Sequence, residues 1–184
     1  MKIAIISSSV RKGRLSHRVA LYFKNYLTEN RLADAELLDL NEYHFPIFEE
    51  RLKYLTDPSP EVLEFAHAVK EADGVIIVTP EYNGGYPAAL KNVVDLLTSE
   101  WKRKPIALAT VSAGPFGGSQ VFTSLMLSIF KQGALLVPSI YSVPSVQNAY
   151  DEQGIPVNKE ATDKFAKIFL NELLWLSEAK NRMQ

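Results

Sequence analysis

Cysteine is absent from the 184-residue chain. That excludes a disulfide framework, a thiolate metal site and a cysteine nucleophile, and it fits a reducing compartment. Net charge is nearly absent too: 20 Lys and Arg against 21 Asp and Glu leave −1. Nucleic acid and acidic membrane both select a basic surface, so neither is expected as the main partner. No apolar run approaches the ~18 residues of a membrane span. The opening MKIAIISSS has too short an apolar part for a signal peptide and reads as a first strand. His17, His44 and His67 show no metal-ligand spacing. Repeats, low-complexity tracts and linkers are missing, so residues 1–184 are read as one domain. What remains is an ordinary globular composition, 47% apolar and 22% charged. A cytoplasmic enzyme or carrier is the expectation.

Hydrophobic periodicity alternates between two kinds of segment. Short β-branched or apolar runs at residues 2–7, 35–40, 74–79, 105–111 and 134–137 read as strands. Between them lie helical stripes: Leu15, Val19, Tyr22, Phe23, Tyr26 and Leu27, then Val62, Phe65, Ala66 and Val69 behind a Ser59-Pro60 start. A third helix opens at Pro87, and a fourth carries Phe122, Leu125, Met126, Ile129 and Phe130 and stops at Gly133. The last is capped by Asn158 and carries Phe165, Ile168, Phe169, Leu173 and Leu176. Residues 41–60 are irregular and aromatic, and 138–157 form a Pro-punctuated loop. Strand and helix alternate five times, which implies a parallel sheet with helices on both faces. The expected architecture is a three-layer, doubly wound, flavodoxin-like sheet in the order 2-1-3-4-5. Its ligand crevice lies at the switch between strands one and three.

The loops after strands one, three and four leave the same edge of such a sheet, and they are the compositionally odd ones. Residues 7–16, SSSVRKGRLS, join a strand to a helix N-terminus, where free N–H groups and a positive dipole end attract anions. Serine hydroxyls, Arg11 and a bend at Gly13 suit a phosphate monoester; the plainer alternative is a hydrophilic loop with Ser16 as a cap. This is not a P-loop, because G-x-x-x-x-G-K-[ST] is missing. Residues 79–92, TPEYNGGYPAALKN, combine a stiff Pro80, the flat Tyr82, the amide of Asn83 and the permissive Gly84 and Gly85. They would wall a flat heteroaromatic ring, or simply make a turn. Residues 112–119, SAGPFGGS, form a second backbone-rich clamp and only a poor match to a dinucleotide fingerprint.

With these motifs assembled, the chain resembles the NADPH-dependent FMN reductase family, over nearly its whole length. The family pattern T-P-E-Y-N-G-S-x-P-G-x-L-K-N is matched by TPEYNGGYPAALKN, with Gly85 for Ser and Ala88 for Gly. The G-S-x-R loop is matched by Ser8-Ser9-Val10-Arg11, and S-x-G-x-x-G-G by Ser112, Gly114, Gly117 and Gly118. The Arg that often follows that Gly pair is missing. The resemblance implies that Ser9, Arg11, Ser16 and His17 hold an FMN phosphate. It implies that Pro80, Glu81, Tyr82 and Asn83 line the isoalloxazine, and that Ser112, Gly114 and Gly117 close its other side. Glu81 is read as structural, tied to a helix end or a neighbouring subunit, and no catalytic side chain is named. Bound FMN, NADPH or NADH as substrate, a small-molecule acceptor and a homodimer or homotetramer complete the implied picture.

Two functional classes follow. One is a ping-pong oxidoreductase that passes hydride from NAD(P)H through FMN to a quinone, azo compound or flavin. The other is a non-enzymatic electron carrier like flavodoxin, or an FMN-binding sensor. Carriers are usually more acidic than this chain, which favours the enzyme. Lys12 and Arg14 could meet the extra phosphate of NADPH, but are read as solvated surface, and residues 41–55 as core or as a subunit contact.

Overall fold

The computed structural model describes residues 1–183. Five strands, β1 (Lys2–Ser7), β2 (Asp34–Asp39), β3 (Gly74–Pro80), β4 (Pro105–Val111) and β5 (Leu135–Val143), make one parallel sheet in the order β2-β1-β3-β4-β5. The central strands are buried along nearly their whole length, as expected where helices cover both faces. Alternate residues feed two cores. Ala4, Ile6, Val75 and Ile77 pack under α3 (Pro60–Glu71), α4 (Ala88–Leu96) and α5 (Ser119–Lys131). Ile3, Ile5, Ile76 and Val78 pack under α1 (Ser16–Glu29) and α6 (Lys159–Arg182).

The expected punctuation is present in physical form. Ser59 Oγ accepts from Val62 N at the start of α3, with Pro60 as the first helical residue. Asn158 Oδ1 accepts from Ala161 N at the start of α6. Gly133, at φ 78°, ends α5 in the left-handed conformation that a side chain would resist. Pro87 stands just outside α4 rather than as its first residue.

Three expectations change. The fifth strand does not stop at residue 137 but runs to Val143. Leu136 pairs with Ile106 and Ile140 with Leu108, so residues 137–139 bulge against Ala107 alone. The bulge absorbs Pro138, which an edge strand tolerates because its outer N–H has no ladder partner. Second, residues 41–60 are not wholly irregular: they include a four-residue helix, α2 (Leu40–Tyr43), and a short 3-10 turn at Leu52–Tyr54. Tyr43 and Phe45 stack at 5.1 Å and meet the edge of Phe65, so this part belongs to the core, whereas Ile47 and Tyr54 are exposed. Third, the apolar stripes expected on the fourth and last helices do not all face the core. Phe130 on α5 and Phe165 and Ile168 on α6 are exposed, and Val121, Ala166 and Leu170 take the inner positions.

Candidate active site

The three loops at the C-terminal edge of the sheet meet around one cleft of about 540 Å³, a size ordinary for a small-molecule site. Its walls include Ser9, Arg11 and Ser16 from the first loop, Pro80, Glu81 and Tyr82 from the second, and Ser112 and Gly114 from the third. The parallel register explains the meeting: β1, β3 and β4 are in step, so their exits rise side by side.

The first loop leaves a helix end open. No side chain caps α1, and the buried Ser16 is its first residue rather than its cap. Among the described residues, Ser16 Oγ and the neighbouring buried Ser8 Oγ have no hydrogen-bond partner. A buried hydroxyl without a partner carries a free-energy cost. Lining the cleft beside Arg11, the Ser16 hydroxyl is placed to be satisfied by an anion. This donor set fits a phosphate monoester such as that of FMN.

The loop is held from below by an ion pair. Arg14 grips the buried Asp39 through both terminal nitrogens and donates to Ser9 O at 2.8 Å. It is therefore not solvated, as its place in a hydrophilic loop suggested. Asp39 also accepts from Asn41 N, capping α2. The His17 ring lies outside the lining of the cleft: its Nδ1 is 3.0 Å from Ser7 Oγ and 3.4 Å from Asp39. Burial holds His17 below its ordinary value, outweighing the Asp39 charge that acts the other way.

The second loop is cross-tied to both others. Tyr82 Oη and Ser9 Oγ are 2.7 Å apart, joining it to the first. Tyr82 and Gly85 exchange two backbone hydrogen bonds of 2.8 and 3.0 Å around Asn83 and Gly84. Both central residues have positive φ, 52° and 79°, the geometry of a type I′ turn. Asn83 thus serves the turn and lies outside the cleft's lining. Glu81 reaches across to the third loop. Its Oε2 accepts from Gln120 N at 3.0 Å and Val121 N at 3.1 Å, at the start of α5, where Gly118 supplies no side-chain cap.

The third loop is shaped from inside. Ser112 Oγ accepts from Gly117 N at 2.9 Å and donates to Gly114 O at 2.8 Å. Thr110 and Ser142 hydroxyls both donate to Gly117 O. A Cβ on Gly117 would stand 2.2 Å from Ser142 Oγ, at φ 62°, so this glycine shapes the loop and does not line the cleft. Gly114 is the opposite case, with nothing within 4 Å of an added Cβ. Among the described residues, the backbone N–H groups of Ala113 and Gly114 have no acceptor.

Several cleft residues were not anticipated, among them Arg14, Leu15, Val111, Ala113 and Gly118 within or beside the three loops, and Phe116 and Val146. Phe116 is 80% exposed at the mouth, and an aromatic alone in a Gly-Pro loop was its only signal. Val146 comes from a 3-10 turn at Val146–Asn148 after the lengthened β5, and carries no sequence signal.

Comparison with solved structures places the fold. FerB, a flavoenzyme NAD(P)H:(acceptor) oxidoreductase from Paracoccus denitrificans, superposes with a TM-score of 0.79 at 23% identity, covering 96% of this chain and 97% of that one. The architecture is flavodoxin-like. Sequence takes the matter further. An NAD(P)H-dependent FMN reductase from Saccharomyces cerevisiae is 36% identical over 133 residues, 65% of this chain and 69% of that protein. An NADPH azoreductase from a Bacillus species is 33% identical over 141 residues, 75% and 74% of the two chains. A quinone reductase from Escherichia coli is 27% identical over 170 residues, 88% and 87%. The model of the NADPH-dependent FMN reductase family matches residues 1–148. The chain belongs to that family of oxidoreductases.

Proposed function

We propose that the cleft binds FMN and that the protein passes reducing equivalents from NADPH or NADH to a small-molecule acceptor: a quinone, an azo compound or a free flavin. The observation that carries this reading is the convergence of three loops on one cleft, with an uncapped helix end and a partnerless buried Ser16 hydroxyl at one side. When bound, FMN supplies hydride acceptance from the nicotinamide and electron delivery to the acceptor, in turn at one open ring face, a ping-pong cycle.

The protein binds and orients. Arg11, Ser9, Ser16 and the α1 N-terminus hold the phosphate by charge and hydrogen bonds. Pro80, Glu81 and Tyr82 line one side of the ring largely through main-chain atoms. Ser112 and Gly114 close the other, where the free N–H groups of Ala113 and Gly114 favour negative charge in the ring system. His17, Asn83 and Gly117 act at one remove, by fixing loop shape. No side-chain nucleophile or general acid is needed.

A homodimer or homotetramer, with the exposed Ile47 and Tyr54 of residues 41–55 at a contact, and a cytoplasmic location belong to the same reading. Among the described residues no helix is long and apolar enough to cross a membrane. The test is steady-state NADPH and NADH oxidation by FMN-loaded protein against a panel of quinones, azo dyes and flavins. Turnover with at least one acceptor, with parallel double-reciprocal lines, supports the proposal. FMN binding without turnover would instead make the protein a carrier or sensor.

A further inference from the structure

The stretch TPEYNGGYPAALKN ends in residues that do not line the cofactor cleft. Asn92, the last of them, lies on α4 and works as a double clasp. Its Nδ2 donates to Pro46 O at 2.6 Å, and its Oδ1 accepts from Phe48 N at 3.3 Å. Both partners lie on the strap that follows α2, which His44 opens in the left-handed conformation at φ 49°. One side chain thus fixes the strap against α4.

The fixed strap leaves a hollow of about 310 Å³, lined by Val10, Leu40, His44, Phe45, Ala89 and Asn92. Four of these are hydrocarbon, and no Lys, Arg, Asp or Glu is among them. The Asn92 amide is already engaged by the strap backbone. Phe45 and Asn92 also line a further hollow of about 160 Å³, with Leu55, Val62 and Leu96. The larger hollow adjoins the cofactor cleft along the first loop. Ser9 and Arg11 line the cleft, and Val10 between them lines the hollow. Tyr82, tied to Ser9 at 2.7 Å, lines the cleft, and Ala89 on the helix that follows lines the hollow.

We propose that this hollow holds the apolar substituent of a quinone acceptor whose reducible ring lies in the cofactor cleft. Position is the first argument: the two cavities share the first loop as a wall, so a group carried on the ring has a short way to go. Charge is the second. A sulfonated dye would bring an anion to a wall without Lys or Arg, whereas a hydrocarbon chain leaves no polar group unpaired there. Reduction takes a hydride from NAD(P)H and a proton from solvent and releases the hydroquinone, so the hollow contributes binding and no chemistry. Binding of a remote, non-reacting part of the acceptor is what such a site supplies. The inference rests on the cofactor reading and deepens it by naming the acceptor.

The test compares 2,3-dimethoxy-5-methyl-1,4-benzoquinone with its 6-decyl derivative, which adds only the tail. Both are given to FMN-loaded wild type, Ala89→Leu and Val10→Ser. Leu at position 89 suits a helix and fills the hollow. Val10 is 47% exposed, so Val10→Ser decides the matter should Ala89→Leu fail to fold. A buried methylene gains about fourfold in affinity, so two or three of them give roughly tenfold or more. The decyl compound should have a KM lower by roughly that factor in wild type. Calorimetry on the oxidised protein without nicotinamide should show the same difference in Kd. Ala89→Leu should lose most of this preference and Val10→Ser roughly threefold of it. Both should keep the wild-type FMN stoichiometry and the wild-type rate with ferricyanide, a hydrophilic acceptor that needs no apolar pocket. Equal KM values for the two quinones in wild type, or a preference that both variants keep in full, would overturn the inference and leave the cofactor reading standing. Protein that takes up no FMN would overturn both.

Discussion

Replacing Glu81 by Ala removes the tie between the second and third loops. Its Oε2 accepts from two backbone N–H groups of α5, at 3.0 and 3.1 Å. A charge-assisted hydrogen bond contributes about 1.5–3 kcal/mol where water is shielded. The Gln120 amide is exposed and water can replace the carboxylate there, so only the part-buried Val121 bond counts in full. The negative charge at a helix N-terminus adds about 0.3–1 kcal/mol. The loss is therefore about 2–3 kcal/mol. In a domain of this size each kcal/mol moves the melting temperature by about 2–4 °C, so Glu81→Ala should melt roughly 5–10 °C lower. Glu81→Gln keeps an acceptor oxygen but loses the charge assistance of the bond, leaving about 0.5–1.5 kcal/mol, and the charge at the helix end, so half or more of that fall is expected. FMN affinity should drop in Glu81→Ala as well, because residues 80–82 lose their anchor. Thermal unfolding followed by circular dichroism, paired with FMN fluorescence titration, reads both effects. An alanine variant melting within about 1 °C of wild type would refute the clamp.

The remaining predictions concern the cofactor and pH. Arg11 is exposed, so its pairing with a phosphate lies at the low end of the charge-assisted range; Arg11→Ala should weaken FMN roughly tenfold. Riboflavin, which lacks the phosphate, should be nearly unaffected, and equal losses for both ligands would remove Arg11 from the phosphate site. Gly114→Val has open space around its Cβ and should fold normally while costing roughly tenfold or more in FMN affinity; unchanged affinity would move the ring elsewhere. Burial lowers His17 below the ordinary 6.5, so the unfolded chain binds the extra proton first. Its contribution to stability is complete above pH 6.5 and is lost as pH falls through the folded value. Urea unfolding from pH 7.5 to 5 should show that loss in wild type and less of it in His17→Gln; identical slopes would contradict the assignment.

The sheet order was legible because each strand carries a short apolar run bounded by turn residues, and parallel strands buried on both faces leave little ambiguity. The fifth strand was misjudged because Pro138 looks like a break, and only an edge position with a bulge accommodates it. Phe165 and Ile168 stand beside that edge and are exposed, as is Phe130 at the far end of α5. A periodic stripe reports an apolar face without reporting what covers it. Loop composition singled out three segments that meet at one cleft, while the contacts of individual side chains depended on long-range geometry. Asn83 and Gly84 form a turn because both adopt positive φ. Arg14 pairs with Asp39, 25 positions away. Glu81 finds its partners some forty positions on, at the start of α5. Local sequence does not encode such pairings.

The most direct measurement is a crystal structure of the protein grown with FMN. The phosphate is expected at the open end of α1, in contact with Ser16 and Arg11, with the ring between residues 80–82 and 112–114. FMN bound at another helix end or beside β5, or crystals that remain colourless at saturating FMN, would contradict the account.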